Sequence, residues 1–173
     1  FNEPHGYSDH EWLNFASEWL LKHHDILKII GHHRILISGT GYSENVSAII
    51  SDSRFNDCLL SLHIYPWFYK YESVKEWESA LTNQISEKNY NRVIITEWGA
   101  PQKNEKCTNI DQSFMTAIPK IVYEKELGSI YWPGLRDNDP YSITERIGQG
   151  LDIRVTNESG KRLICKSFEI NDD

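Results

Sequence analysis

The sequence predicts an α/β fold, parallel strands joined by outer helices, in one domain over residues 1–173. Two observations carry that expectation. Short apolar runs alternate with stretches whose apolar residues recur every three or four positions, the marks of strand and amphipathic helix. The apolar runs also turn polar and aromatic towards their C-terminal ends, where barrels of alternating strands and helices place their sites. Repeated alternation of this kind implies parallel strands connected by right-handed crossovers.

The elements follow in order. Ser8 and Asp9 can cap a helix in which Trp12, Phe15, Ala16, Trp19 and Leu20 share one face, and Trp12 and Trp19 are expected in the core. A second helical piece, about residues 25–31, leads into "RILISG", an apolar run ended by glycine as buried parallel strands are. "DCLLSLHIYPW" reads as the next strand. "SVKEWESALTNQISEK" reads as a helix with Val74, Trp77, Ala80, Leu81 and Ile85 facing inward. "NRVIITEW" is another strand, and "DQSFMTAIPKIVYEKEL" is helical, with Pro119 kinking it or marking its first turn. "GSIYWPG" closes the series. Beyond it "LDIRVTN" reads as a strand, and "ESGKRLICKSFE" fits a short helix or a returning strand.

Composition narrows the partners. The net charge is −7, with acids and bases interspersed and no basic stripe, which argues against nucleic acid. No apolar run approaches the roughly 20 residues of a membrane span. The longest, "ILKIIGHHRILISG", is broken by glycine, histidines and arginine. Cys58, Cys107 and Cys165 cannot all pair within the chain, so one disulfide with a free thiol and three reduced thiols are both open. No secretory leader is visible, and the triplets at Asn45 and Asn157 are the only glycosylation sequons. His23, His24, Asp25, His32 and His33 crowd a short span, but neighbouring helical residues diverge by about 100°. They are expected to decorate a surface rather than bind metal.

The chemistry-bearing residues stand at strand ends: His63 and Tyr65, Glu97, and Trp132, with Glu3 at the start of the chain in "FNEPHG". Parallel strands set such ends side by side. Cleavage of a glycosidic bond needs a proton donor for the leaving oxygen and a carboxylate facing the developing oxocarbenium ion. Two glutamates about 5 Å apart can supply both with retention of configuration, because repulsion lets one carboxyl keep its proton. Aromatic rings suit the apolar faces of sugars.

At these residues a resemblance becomes specific. "NEPHG", "HIYPWF", "TEWGA" and "YWPGLRDNDPYSI" resemble, in order, the acid/base, His-x-Tyr, nucleophile and final-tryptophan motifs of glycoside hydrolase family 5. "GTGYS", "DSRFNDCLLSLHIY" and "VTNESG" are similar to a cellulase-like branch, and the likeness runs over essentially the whole chain. The resemblance implies a partial (β/α)8 TIM barrel, its last four to five strand–helix units. It implies Glu3 as acid/base, Asn2 as the neighbour bonding the sugar's 2-hydroxyl, and Glu97 as nucleophile. Tyr65 would orient Glu97, His63 would contact the same sugar, and Trp132 would be the floor beneath it. Trp98, Trp67, Arg136 and Asp137 are assigned to the cleft by adjacency, Trp98 among the sugar-binding residues.

The expected activity is hydrolysis of a β-linked polysaccharide such as a β-glucan, outside the cell and without metal or organic cofactor. A complete barrel takes about 250 residues. The first three strands, and the arginine and histidine they normally contribute, are therefore expected to lie outside this chain. A half barrel exposes strand edges, so association is expected, with a second copy as a homodimer or with an N-terminal half. The alternative is a non-catalytic carbohydrate-binding or assembly remnant.

Overall fold

The computed structural model describes residues 2–102, 107–133, 136, 138–150, 152–155 and 157–165. Ser8 opens helix α1 (Asp9–Lys22), its hydroxyl accepting the Glu11 N–H while the Glu11 carboxylate accepts the Ser8 N–H. Helix α2 (His24–Ile30) follows after a single residue. Then come β1 (Leu36–Ser38), the short α3 (Ser47–Ser51), β2 (Leu59–Ile64), α4 (Val74–Ile85), β3 (Val93–Trp98), α5 (Asn109–Glu124) and β4 (Gly128–Tyr131). These four strands form one parallel sheet in the order β1-β2-β3-β4. Leu36, Ile37 and Ser38 stand opposite Leu59, Leu60 and Ser61. The alternation legible in the sequence is thus the alternation of the fold.

By chain contacts the molecule divides into two compact units. The first runs to Ile64 and adds Leu81–Glu97 and Leu127–Ser129. Its core is the buried face of α1 and α2 (Trp12, Ala16, Leu20, Leu27) with Leu60, Leu62 and Val93 of the strands. β2 is buried along almost its whole length, which a continuous apolar run inside a parallel sheet requires. The second unit comprises Tyr65–Ala80, Trp98–Glu126 and the chain from Ile130 onward. Its core forms where Trp77 packs edge-on against Phe114 at 4.9 Å. Burial of each such ring or branched side chain contributes about 1.5–3 kcal/mol.

Two sequence expectations are corrected and one is narrowed. Trp19 is only half-buried, and Phe15 is 42% exposed, so the apolar face of α1 is wider than what covers it among the described residues. Beside that face, Trp12, Ala16, Trp19 and Leu36 line an apolar groove of about 110 Å³ along β1. Pro119 sits well inside α5, past its first turn, and is buried. The stretch after β4 holds two strands rather than one. β5 (Thr144–Arg146) pairs antiparallel with β6 (Ile153–Val155), the latter being the run expected from "LDIRVTN". The ambiguous segment that follows forms helix α6 (Glu158–Cys165). Cys58 and Cys107 are free thiols. No helix among the described residues is long and apolar enough to cross a membrane.

Candidate active site

Three sequence-predicted residues meet in the first unit. His63 lies near the C-terminal end of β2 and is 1% exposed, while Glu97 lies near the same end of β3. Adjacent parallel strands set these positions side by side. Glu3 reaches them from the chain start. Its Oε1 is 2.9 Å from His63 Nδ1, and Glu97 Oε2 lies 3.7 Å from the same nitrogen. One oxygen of each carboxylate and the imidazole nitrogen all fall within 4.8 Å of one another. Glu3 and Glu97 keep part of their side chains open to solvent, at 38% and 21%. A buried imidazole therefore lies under two reachable carboxylates. Where the resemblance implies a sugar contact for His63, the structure supplies a carboxylate.

Residues 2–5 belong to no strand or helix, yet they are tied down at several points. The Asn2 carbonyl accepts hydrogen bonds from the hydroxyls of Ser38 (3.0 Å) and Ser43 (2.5 Å). The Pro4 carbonyl accepts the Tyr42 N–H at 3.2 Å. The His5 ring stacks on Tyr42 with centroids 4.7 Å apart, and its Nδ1 lies 2.9 Å from the Glu3 carbonyl. Asn2 thus acts here through its main chain, with its side chain exposed. The anchors Ser38, Tyr42 and Ser43 escaped sequence reasoning. The signal available was the pair of glycines around Thr40 in "SGTGYS", which marks a tight turn directly after a buried strand.

That turn has an unusual backbone. Gly41, Tyr42 and Ser43 all have positive φ, at 62°, 62° and 68°. For residues with a side chain this conformation costs roughly 1–2 kcal/mol each. Gly39 is required for a different reason, since a Cβ there would stand 2.0 Å from the Asn45 carbonyl oxygen. The turn is closed by reciprocal backbone hydrogen bonds between Thr40 and Asn45, at 3.1 and 3.2 Å.

The remaining predicted residues belong to the second unit. Tyr65 is buried and stacks on Trp67 at 4.0 Å and 14°, with Trp132 edge-on at 6.3 Å. Trp67 is 56% exposed and Trp132 37%. The Arg136 guanidinium lies over the Trp132 ring at 5.2 Å, and Arg136 also pairs with Asp139 at 3.4 Å. Tyr141 stands edge-on to both tryptophans. Burial, and then the charges of Asp111 and Asp139, push its phenol up to about 12. Asp137 lies outside the described residues. A polar cavity of about 540 Å³ is lined by Arg136, Asn138, Thr144 and Glu145 among others, but by neither glutamate of the site nor by His63.

Trp98 is a correction. Its side chain is fully buried, edge-on to Tyr131 at 5.0 Å and tilted on Phe114 at 6.3 Å, so it offers no face to a sugar. Successive residues of a strand point to opposite faces. Glu97 and Trp98 cannot both point the same way, and the order of letters in "TEW" already contained that answer. The glycine that follows is required by a close approach of two backbone segments, since a Cβ on Gly99 would sit 2.4 Å from the Trp132 carbonyl oxygen.

A family model described as cellulase (glycosyl hydrolase family 5) matches residues 1–135. No curated protein matches the chain. Among solved structures, Cel5A of Thermotoga maritima in complex with cellobiose is similar, with a TM-score of 0.60 at 15% identity, over 94% of this chain and 57% of that one. An endo-β-1,4-glucanase of Xanthomonas axonopodis pv. citri gives 0.59 at 14%, over 94% and 58%. A second from the same organism gives 0.57 at 16%, over 82% and 51%. At these identities the likeness is one of fold, and the chain spans about half the length of the structures it matches.

Proposed function

This chain belongs to glycoside hydrolase family 5, and from that premise we propose that it carries the catalytic half of a retaining β-glycosidase. The observation that carries the reading is the spacing of Glu3 and Glu97, with carboxylate oxygens within 4.8 Å. Retaining enzymes hold their carboxyls about 5–5.5 Å apart, whereas inverting ones need roughly 6.5–9.5 Å to admit a water.

In this reading Glu97 attacks the anomeric carbon while Glu3 gives its proton to the departing glycosidic oxygen. The carbon–oxygen bond to the leaving sugar breaks as an ester to Glu97 forms. Glu3, now a carboxylate, takes a proton from water, whose oxygen displaces Glu97 and restores the original configuration. The buried His63 ring contacts Glu3 at 2.9 Å and holds its carboxyl in place through both steps. Following the resemblance, Asn2 bonds the 2-hydroxyl and Trp132 offers a stacking face to a sugar, its exposure being consistent with that use. The chemistry calls for no cofactor.

A β-linked glucan is the proposed substrate, supported by structural neighbours described as endo-β-1,4-glucanases and by the cellobiose complex of Cel5A. Action outside the cell fits a polymeric substrate. Association fits the apolar groove beside β1, a strand paired on one side only among the described residues, which a second copy or an N-terminal half-barrel would cover.

The test is hydrolysis of a chromogenic β-glycoside, with the product anomer followed by NMR. Glu97→Ala is expected to lower turnover by more than about a thousandfold, and Glu3→Ala comparably on substrates with poor leaving groups. Azide is expected to restore turnover in Glu3→Ala with an activated substrate. An inverted product, or sugar binding without turnover in the unsubstituted chain, would sink the reading and favour a carbohydrate-binding remnant.

A further inference from the structure

We propose that the turn spanning residues 39–45 is a positioning clamp for the proton donor, with Ser43 as the residue that joins Glu3 to His63. The proposal rests on the reading of Glu3 as acid/base and says what holds it in register.

Four residues from three distant parts of the sequence form one closed circuit. The Ser43 hydroxyl donates to the Asn2 carbonyl, immediately before Glu3. The Ser43 carbonyl accepts the His63 N–H at 3.0 Å. The circuit closes at 2.9 Å between His63 Nδ1 and Glu3 Oε1. A displacement of Glu3 must therefore break the contact with His63, the contact with Ser43, or both.

The Asn2 carbonyl is held from two sides, because Ser38 also donates to it at 3.0 Å. A carbonyl has two lone pairs, and two fixed hydroxyls fix its plane. That plane is the peptide joining Asn2 to Glu3, so it sets the direction in which the Glu3 side chain leaves the backbone. Downstream, the Tyr42 N–H holds Pro4 and the Tyr42 ring covers His5. Glu3 is bracketed on both sides by consecutive residues of one turn.

The backbone of that turn points the same way. A loop that only reverses the chain would place glycine or asparagine where φ is positive. Here a tyrosine and a serine occupy such positions, and strain of this kind persists only where the surroundings over-determine it. They do so here. Thr40 donates its hydroxyl to Asp9 of α1, and Gln84 of α4 donates to the Glu44 carbonyl. The buried Ser43 hydroxyl reaches Asn2 from the left-handed conformation, which gives a reason for serine where glycine would be less strained.

The experiment uses Ser43→Ala and Ser43→Gly in the full chain. Both remove the hydroxyl, but glycine also relieves the positive φ, so melting temperature is expected to separate them in glycine's favour. For each, kcat/KM is measured on a dinitrophenyl β-glycoside, whose leaving group needs no proton, and on an unactivated β-glucan oligosaccharide, whose leaving group does. The expected outcome is a loss of about 10- to 100-fold on the oligosaccharide in both variants, with less than about threefold on the dinitrophenyl substrate. Equal losses on the two substrates, or losses that track melting temperature, would overturn the clamp. If the unsubstituted chain hydrolyses neither substrate, the catalytic reading fails, and the clamp is then decided by NMR of the His63 ring. A His63 Nδ1 proton resonance that moves in Ser43→Gly as it does in Glu3→Gln supports it, and one unmoved by Ser43→Gly refutes it.

Discussion

His63 shows how one side chain can serve two others: buried at the end of β2, it presents a single nitrogen to Glu3 and Glu97 together. Trp98, next to Glu97, has the opposite fate, and it yields a prediction. Its indole N–H is buried with no partner among the described residues, a condition that costs about 1–3 kcal/mol. Trp98→Phe removes that donor and keeps most of the ring, so stability in denaturant titration is expected to change by less than about 1 kcal/mol. KM is expected to stay put, and a raised KM would return Trp98 to the sugar site. At this scale Glu3, His63 and Glu97 were legible because each stands in a distinctive short motif, the latter two near strand ends. Ser38 and Ser43 were not legible. Their partner, the Asn2 carbonyl, is 36 and 41 positions away, and a hydroxyl beside glycine is common in any turn. Trp98 was misread through adjacency, although strand alternation sends neighbours to opposite faces.

The helices were the most legible elements, because their caps are written in the sequence. Ser8 with Glu11, Ser73 with Glu76, and Thr108 with Asp111 each exchange side-chain and backbone hydrogen bonds at a helix start. The bonds from Ser8 hold the Glu11 carboxyl below its ordinary 4.5, and those from Ser73 do the same for Glu76. A depressed carboxyl stabilises the fold above its unfolded value, and that contribution is lost as pH falls through the folded one. Melting temperature is therefore expected to drop below about pH 4.5, and less steeply in Glu11→Gln with Glu76→Gln. At the other extreme Tyr141 is raised from 10.0 to about 12, so its contribution is intact below pH 10 and lost as pH rises towards 12. Tyr141→Phe is expected to flatten that alkaline decline. β5 was missed because "TER" has neither apolar alternation nor length, and only its partner β6 makes it a strand. Of the two roles offered for Pro119, a kink or the first turn, the first turn falls away because α5 is anchored further upstream by its Thr108 cap.

At the scale of the molecule, the parallel order of the sheet followed from the alternation of elements alone, but its edges could be judged only once β1 was seen with one neighbour among the described residues. The first unit also exposes Phe15, Leu21, Ile26 and Ile29 on its first two helices, the last at 89%. Light scattering is expected to report a mass above that of one chain, falling when Leu21 and Ile29 are replaced by lysine. A monodisperse monomer with a cooperative melt would exclude association. The strained turn has a further consequence, one of temperature. Tyr42 and Ser43, left-handed in succession, store energy beside the Glu3 segment, and stored strain is released where a structure is least stable locally. Two thermal limits rather than one are then expected: hydrolysis lost on gentle heating as Glu3 unlatches, and regained on cooling, at temperatures where far-UV circular dichroism still reports an intact sheet. Activity and far-UV signal lost together would refute it.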